Sequence, residues 1–131
     1  MKKPEFLYHG SRQRMDVLKP SQGVGYGKED DRYGIYAVSE WALAIPFAIA
    51  YRPLAENATF FVDTATLPPR ILLKNTDVEW DETGYLYTVR SDLFEQVDSD
   101  QWISTDLVEP VSMEEIRPED YRSWIEYIAE N

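Results

Sequence analysis

Phe6-Leu7-Tyr8-His9-Gly10-Ser11-Arg12, followed downstream by Gly34-Ile35-Tyr36-Ala37-Val38, is the pair of segments on which the reading of this chain turns. Each is a short apolar run that carries a polar group at or near its end. His9 is the only histidine in the chain. Apolar runs rich in aromatic and β-branched residues and bounded by glycine read as strands. A side chain delivered from a strand end is held rigidly, as a site requires. Ordinary explanations stand beside this one. A lone histidine is commonly a half-buried, hydrogen-bonded residue. A glycine after a strand commonly makes a turn. The ordered pair of segments, more than either alone, carries the information.

Residues 5–9 read as a strand leading into His9. Residues 12–20 suggest a turn of helix with Met15, Val17 and Leu18 packed inward. Lys19-Pro20 ends it, because the residue before a proline is pushed out of the helical region. Residues 21–33 are rich in glycine and charge. Gly23, Gly25 and Gly27 alternate there, but Lys19-Pro20 precedes them where a dinucleotide fingerprint needs a strand. Glu29-Asp30-Asp31 follows where it needs a helix start. The segment reads as a flap over a site or as a plain surface loop.

After the strand 34–38, Ser39 suits a helix N-cap and Glu40 suits the first turn of a helix. That helix is expected over 40–51, mostly apolar, buried, and kinked at Pro46. Further strands are expected at 59–62, 71–73, 85–89, 101–104 and 107–111. A C-terminal helix is expected from Pro118, because Tyr121, Trp124, Ile125 and Ile128 stand at helical spacing on one stripe. The stripe would dock on the core or fill a partner's groove. The sum is a single α+β domain over residues 1–131, with a split, largely antiparallel sheet and a few peripheral helices.

Composition sets the bounds. Of the 131 residues, 44% are apolar and 14% aromatic, which is the composition of a folded domain. Its 24 acidic residues against 13 basic ones give a net charge of −11, which disfavours a duplex nucleic-acid partner. Lys2, Lys3, Arg12, Arg14, Lys19 and Lys28 concentrate the positive charge near the start, where Arg12 and Arg14 would suit a diphosphate or a solvated surface. There is no cysteine, hence no disulfide, thiolate metal site or cysteine nucleophile. The apolar run 41–51 is too short to span a membrane, and no signal peptide is read at the start. A cytoplasmic location fits. One histidine leaves no transition-metal cluster, and Glu114-Glu115, Glu29-Asp30-Asp31 and the group Asp77, Glu79 and Asp81 lack the spacing of a calcium loop.

His9-Gly10-Ser11-Arg12 followed by Gly34-Ile35-Tyr36 resembles the first two signatures of the NAD-dependent ADP-ribosyltransferase fold, in its poly(ADP-ribose) polymerase and diphtheria-toxin branch. The third signature of that family is a glutamate near the start of a late strand. Here Asp100-Gln101-Trp102-Ile103-Ser104 matches it with Gln101 in the glutamate's place. The resemblance implies that NAD is a substrate and that no metal is needed. It implies transfer of ADP-ribose to an acceptor, a protein or small molecule rather than duplex nucleic acid, with release of nicotinamide. His9 would bond a ribose hydroxyl on the adenosine side. The Gly10 backbone would pair with the nicotinamide carboxamide. Ser11 and Arg12 would meet the adenosine side, and Tyr36 would stack on the nicotinamide ring. Ser39 would donate to the carboxamide or simply cap the helix, and Trp41 or Phe47 would form a second stacking wall or simply fill the core.

Gln101 can hydrogen-bond but carries no charge. Loss of such a charge costs about 3 kcal/mol or more of transition-state stabilisation. The implied protein is then a transferase using Asp98, Asp100, Glu95 or Glu109 instead, a weak enzyme, or a domain that only binds NAD, ADP-ribose or a protein partner. Outside the family, the alternative is a small acidic interaction protein that meets a basic partner through the C-terminal helix or an aromatic surface. The RNA 2′-phosphotransferase branch of the same fold relies on basic residues, and the charge balance argues against it.

Overall fold

The computed structural model describes residues 3–22, 33–99 and 101–128. In chain order the elements are β1 (Phe6–Ser11), β2 (Ser21–Gln22), β3 (Tyr33–Val38), α1 (Trp41–Ala48), β4 (Tyr51–Pro53), β5 (Thr59–Asp63), β6 (Arg70–Lys74) and β7 (Thr76–Val78). Then come β8 (Gly84–Arg90), β9 (Glu95–Gln96), β10 (Gln101–Ser104), β11 (Ser112–Ile116) and β12 (Ile125–Tyr127). Tight 3₁₀ turns occupy Ser91–Leu93 and Pro118–Trp124. The architecture is mixed α+β, dominated by antiparallel sheet. Among the described residues no helix is long and apolar enough to cross a membrane.

The main sheet has seven strands, in the order β11-β8-β1-β3-β10-β9, with β2 added to β3. One register runs through it: Trp102 lies opposite Ala37, His9 opposite Tyr87, and Tyr87 opposite Met113. Successive side chains on a strand point to opposite faces, so the register sorts the core into two layers. On one face Val38 and Leu86 pack with Leu43, Ala44, Ile45 and Ala48 of α1. On the other, Leu7, Ile35, Ala37, Tyr87, Val89 and Trp102 pack under Leu18, Phe94 and Val108. Each fully buried Leu, Ile or Val contributes roughly 1.5–3 kcal/mol, so two such layers hold the sheet from both sides.

Two glycines let α1 lie directly on the sheet. A Cβ on Gly10 would stand 2.0 Å from the Ala44 carbonyl oxygen, and one on Gly84 would stand 1.6 Å from that of Ala48. The helix is shorter than the 40–51 expected. It starts at Trp41, with Glu40 rather than Ser39 at the cap position, and no side chain caps it. Pro46 lies inside it, and two residues later it ends, because Tyr51 to Pro53 pair with β7 instead.

Three further expectations are corrected. The segment 12–20 forms no helical turn; it runs across the second face, joined to the sheet by a bridge between Leu18 and Val108. The strand expected at 107–111 is displaced to Ser112–Ile116, where β11 pairs with β8. The expected C-terminal helix does not form among the described residues. Its first half is the 3₁₀ turn Pro118–Trp124, and its second half is β12, which pairs in parallel with β6. Ile128 continues this docking by donating its N–H to the Leu73 carbonyl at 2.7 Å. Most of the glycine-rich loop, including Lys28, and also Lys2 and Asp100, lie outside the described residues.

Candidate functional site

β1 pairs with β8 over its whole length, from Phe6 opposite Arg90 to Ser11 opposite Tyr85. Toward β3 it pairs only at Tyr8, opposite Val38. Beyond that point the sheet opens. His9 spans the opening, with its Nδ1–H donating to the Tyr36 carbonyl oxygen at 2.5 Å. A carbonyl only accepts, so this bond fixes the proton on Nδ1 and leaves Nε2 as the acceptor of the neutral ring. Burial pushes the His9 pKa below its ordinary 6.5, against a smaller upward pull from the Tyr36 bond, and keeps the ring neutral at pH 7.

The bond also defines the backbone at Gly10. In an antiparallel ladder the N–H and C=O of one residue point to the same neighbour, and the side alternates along the strand. The Tyr36 carbonyl points toward β1, since His9 reaches it. Continuing the register from Tyr8 and Val38 would set Gly10 opposite Tyr36, so the Gly10 N–H and C=O face the opening. The ladder stops short of them, and the imidazole occupies the carbonyl that Gly10 would otherwise bond. The absence of a side chain at Gly10 has a separate cause, which is contact with the α1 backbone.

Alternation sorts the remaining candidates. Gln101 lies opposite Val38 and Ile103 opposite Tyr36, so the Tyr36 and Gln101 side chains share the face that α1 covers. His9 belongs to the other face, where its ring lies 6.2 Å from that of Tyr87. The structure therefore sets Tyr36 and Gln101 on one face, diagonal to each other across β3 and β10, and joins His9 to Tyr36 alone, through the Tyr36 backbone. Gln101 is 4% exposed, and Asp98 holds it twice. The carboxylate accepts from the Gln101 backbone N–H at 2.9 Å and from its Nε2 at 3.0 Å. Of the carboxylates weighed as substitutes, Asp98 is thus bonded to Gln101. Glu95 is exposed on β9, opposite Ile103, and Glu109 is exposed beyond β10. Ser39 is half-buried between β3 and α1, Trp41 is 45% exposed with its ring 6.0 Å from that of Trp124, and Phe47 is half-buried on α1.

At the end of β1 a cleft of about 400 Å³ is lined by Ser11, Arg12, Gln13, Ala50, Tyr51, Glu79 and Glu82. One wall is pinned by Tyr87, whose buried hydroxyl donates to the Gln13 carbonyl at 2.7 Å and accepts from the Met15 N–H at 2.6 Å. The opposite wall is tied to the end of α1 by the Glu79 N–H, which donates to the Ala50 carbonyl at 2.9 Å. Glu79 and Glu82 were not legible as site residues. They come from a connection far along the chain, and only the fold brings them to Ser11 and Arg12. Comparison with protein-family models, curated proteins and solved structures finds no match for this chain.

Proposed function

We propose that the chain is an NAD-binding domain of the ADP-ribosyltransferase type, which transfers ADP-ribose from NAD to an acceptor and releases nicotinamide. The observation that carries this reading is the interrupted ladder between β1 and β3. It presents the Gly10 N–H and C=O as a donor–acceptor pair at a strand edge, and a primary carboxamide is the complementary acceptor–donor pair. His9, by taking the Tyr36 carbonyl, holds that edge open, and its Nε2 suits a ribose hydroxyl. Arg12, at the cleft beyond Ser11, suits a diphosphate.

Transfer of this kind breaks the C–N bond between ribose and nicotinamide. The bonding pair leaves with nicotinamide, the ribose carries the positive charge, and the acceptor's nucleophile adds to it and gives up its proton. The chain's part is to hold both ends and to place negative charge beside the ribose. Gln101 supplies none, and its amide is already engaged by Asp98. That observation favours a second reading, in which the domain binds NAD or ADP-ribose, or meets a protein partner, with little or no turnover.

Titration calorimetry with NAD on the wild type and on a His9→Ala/Tyr36→Ala variant tests the first premise. Binding that disappears in the variant supports the site. A folded wild type that fails to bind NAD removes the nucleotide reading. Nicotinamide release measured across an acceptor panel then separates transferase from binding domain.

A further inference from the structure

We infer that Trp41, Trp124 and Tyr121 form a docking platform for an arginine-bearing segment of a protein partner, with Glu114 and Asp120 as its countercharge. The inference stands apart from the NAD reading and holds or fails without it.

Distant segments build the platform. Trp41 opens α1 and is 45% exposed. Its ring lies 6.0 Å from that of Trp124, and Trp124 meets Tyr121 edge to face at 4.9 Å. Tyr121 and Trp124 rest against the core layer that holds α1, yet both are only half-buried. Three adjoining rings at the surface make the kind of apolar patch that marks an interaction site, and tryptophan and tyrosine are favoured anchors in such sites.

The occupant follows from charge. The face of an aromatic ring is electron-rich and attracts a cation. Glu114 stands on β11 opposite Leu86, which packs against α1, so its side chain belongs to the face of the sheet that α1 covers. Asp120 directly precedes Tyr121. Both carboxylates are exposed, and among the described residues neither is in an ion pair. Burial, and after it the charges of Glu114 and Asp120, pushes the Tyr121 pKa up, which sets both carboxylates within electrostatic reach of the platform. The same turn already stacks one guanidinium: Arg122 lies 4.1 Å over the Trp80 ring. A partner's arginine repeats that contact on Trp41 and Trp124. Its flat face suits the rings and its fork suits the carboxylates, which a lysine matches less well. The net charge of −11 draws a basic segment toward the chain from a distance.

The test is an NMR titration of the full chain with a capped tri-arginine peptide and with its neutral tri-citrulline counterpart. The four tryptophan indole N–H signals are followed, each assigned with a single Trp→Phe variant. The arginine peptide is expected to move the Trp41 and Trp124 signals and to leave that of Trp102, buried on the other face, in place. Trp41→Ala should weaken binding about three- to fivefold. Glu114→Gln/Asp120→Asn should weaken it about threefold at low salt and less as salt rises. These positions are exposed, and an unmoved Trp102 signal confirms that each variant is folded. Still Trp41 and Trp124 signals at millimolar peptide overturn the inference, as do equal shifts with the citrulline peptide. Binding that Trp41→Ala leaves unchanged also overturns it, because the attraction is then to the acidic chain at large.

Discussion

β1 treats its two neighbours differently. Toward β8 it pairs residue for residue from Phe6 to Ser11, while toward β3 it pairs at Tyr8 and then lets go. The same residues serve both edges, so backbone propensity does not explain the difference. The closed side is sealed by side-chain layers on both faces, with Tyr87 fully buried opposite His9. On the open side, a single imidazole replaces a stretch of ladder. A sheet can expose backbone donors and acceptors at its centre, provided a side chain satisfies the carbonyl across the gap.

The strongest perturbation of this contrast is at the glycines that seat α1. Gly84→Ala and Gly10→Ala each drive a methyl into helix backbone and are expected to cost about 3 kcal/mol or more, read as a fall in the denaturant midpoint. An unchanged Gly10→Ala midpoint would mean that the helix does not need that glycine. The residue would then matter only to the open edge.

Next comes Gln101→Glu. It places a second carboxylate in a buried position where Asp98 now bonds the amide, at an expected cost of about 2 kcal/mol near neutral pH. Burial and the like charge would raise the new group's pKa, so the folded state binds the extra proton more readily than the unfolded one. The lost stability should return as pH falls, and adding Asp98→Asn should restore it at neutral pH. A stable variant with no pH dependence contradicts the burial and pairing described for this residue.

His9→Ala removes the bond across the gap and should cost about 1–2 kcal/mol. It also sharpens the pH behaviour. The folded pKa of His9 lies below its ordinary 6.5, so below that value the folded state holds fewer protons than the unfolded state. The histidine's contribution is complete above pH 6.5 and is lost as pH falls through the depressed folded value. Denaturation curves of wild type and His9→Ala should therefore converge on acidification, and parallel curves would argue against a buried neutral ring.

The smallest effect is expected away from β1. The Tyr127 hydroxyl donates to Asp77 at 2.6 Å, which pushes the tyrosine pKa up to about 12, with burial the first cause. Both groups are solvent-accessible, and Tyr127→Phe should cost under about 1 kcal/mol in thermal melting. A larger loss would mark this contact as a principal clasp of β12.

Much of the strand content was legible because alternation and flanking turns are local signals. Residues 101–104 coincide with β10, and the expected strands 59–62, 71–73 and 85–89 fall inside β5, β6 and β8. The C-terminal stripe misled because Tyr121 and Trp124 still pack edge to face, although the segment Pro118–Trp124 is two short 3₁₀ turns joined at a kink at Tyr121. The rest of that segment found a partner in β6, more than fifty residues earlier, which no local window sees. β4 and β7 escaped for the same reason: each is three residues long, and each exists only because the other is opposite.

By itself the sequence determined the mixed α+β class, the central strands and the position of His9-Gly10 on one of them, since periodicity and residue type act within a few neighbours. Only the tertiary structure decided that β1 opens toward β3, that Tyr36 and Gln101 share a face which His9 does not, and that Glu79 and Glu82 stand beside Arg12. Those outcomes depend on strand register and on contacts between distant segments. A shift of one residue in either strand would exchange every one of those faces.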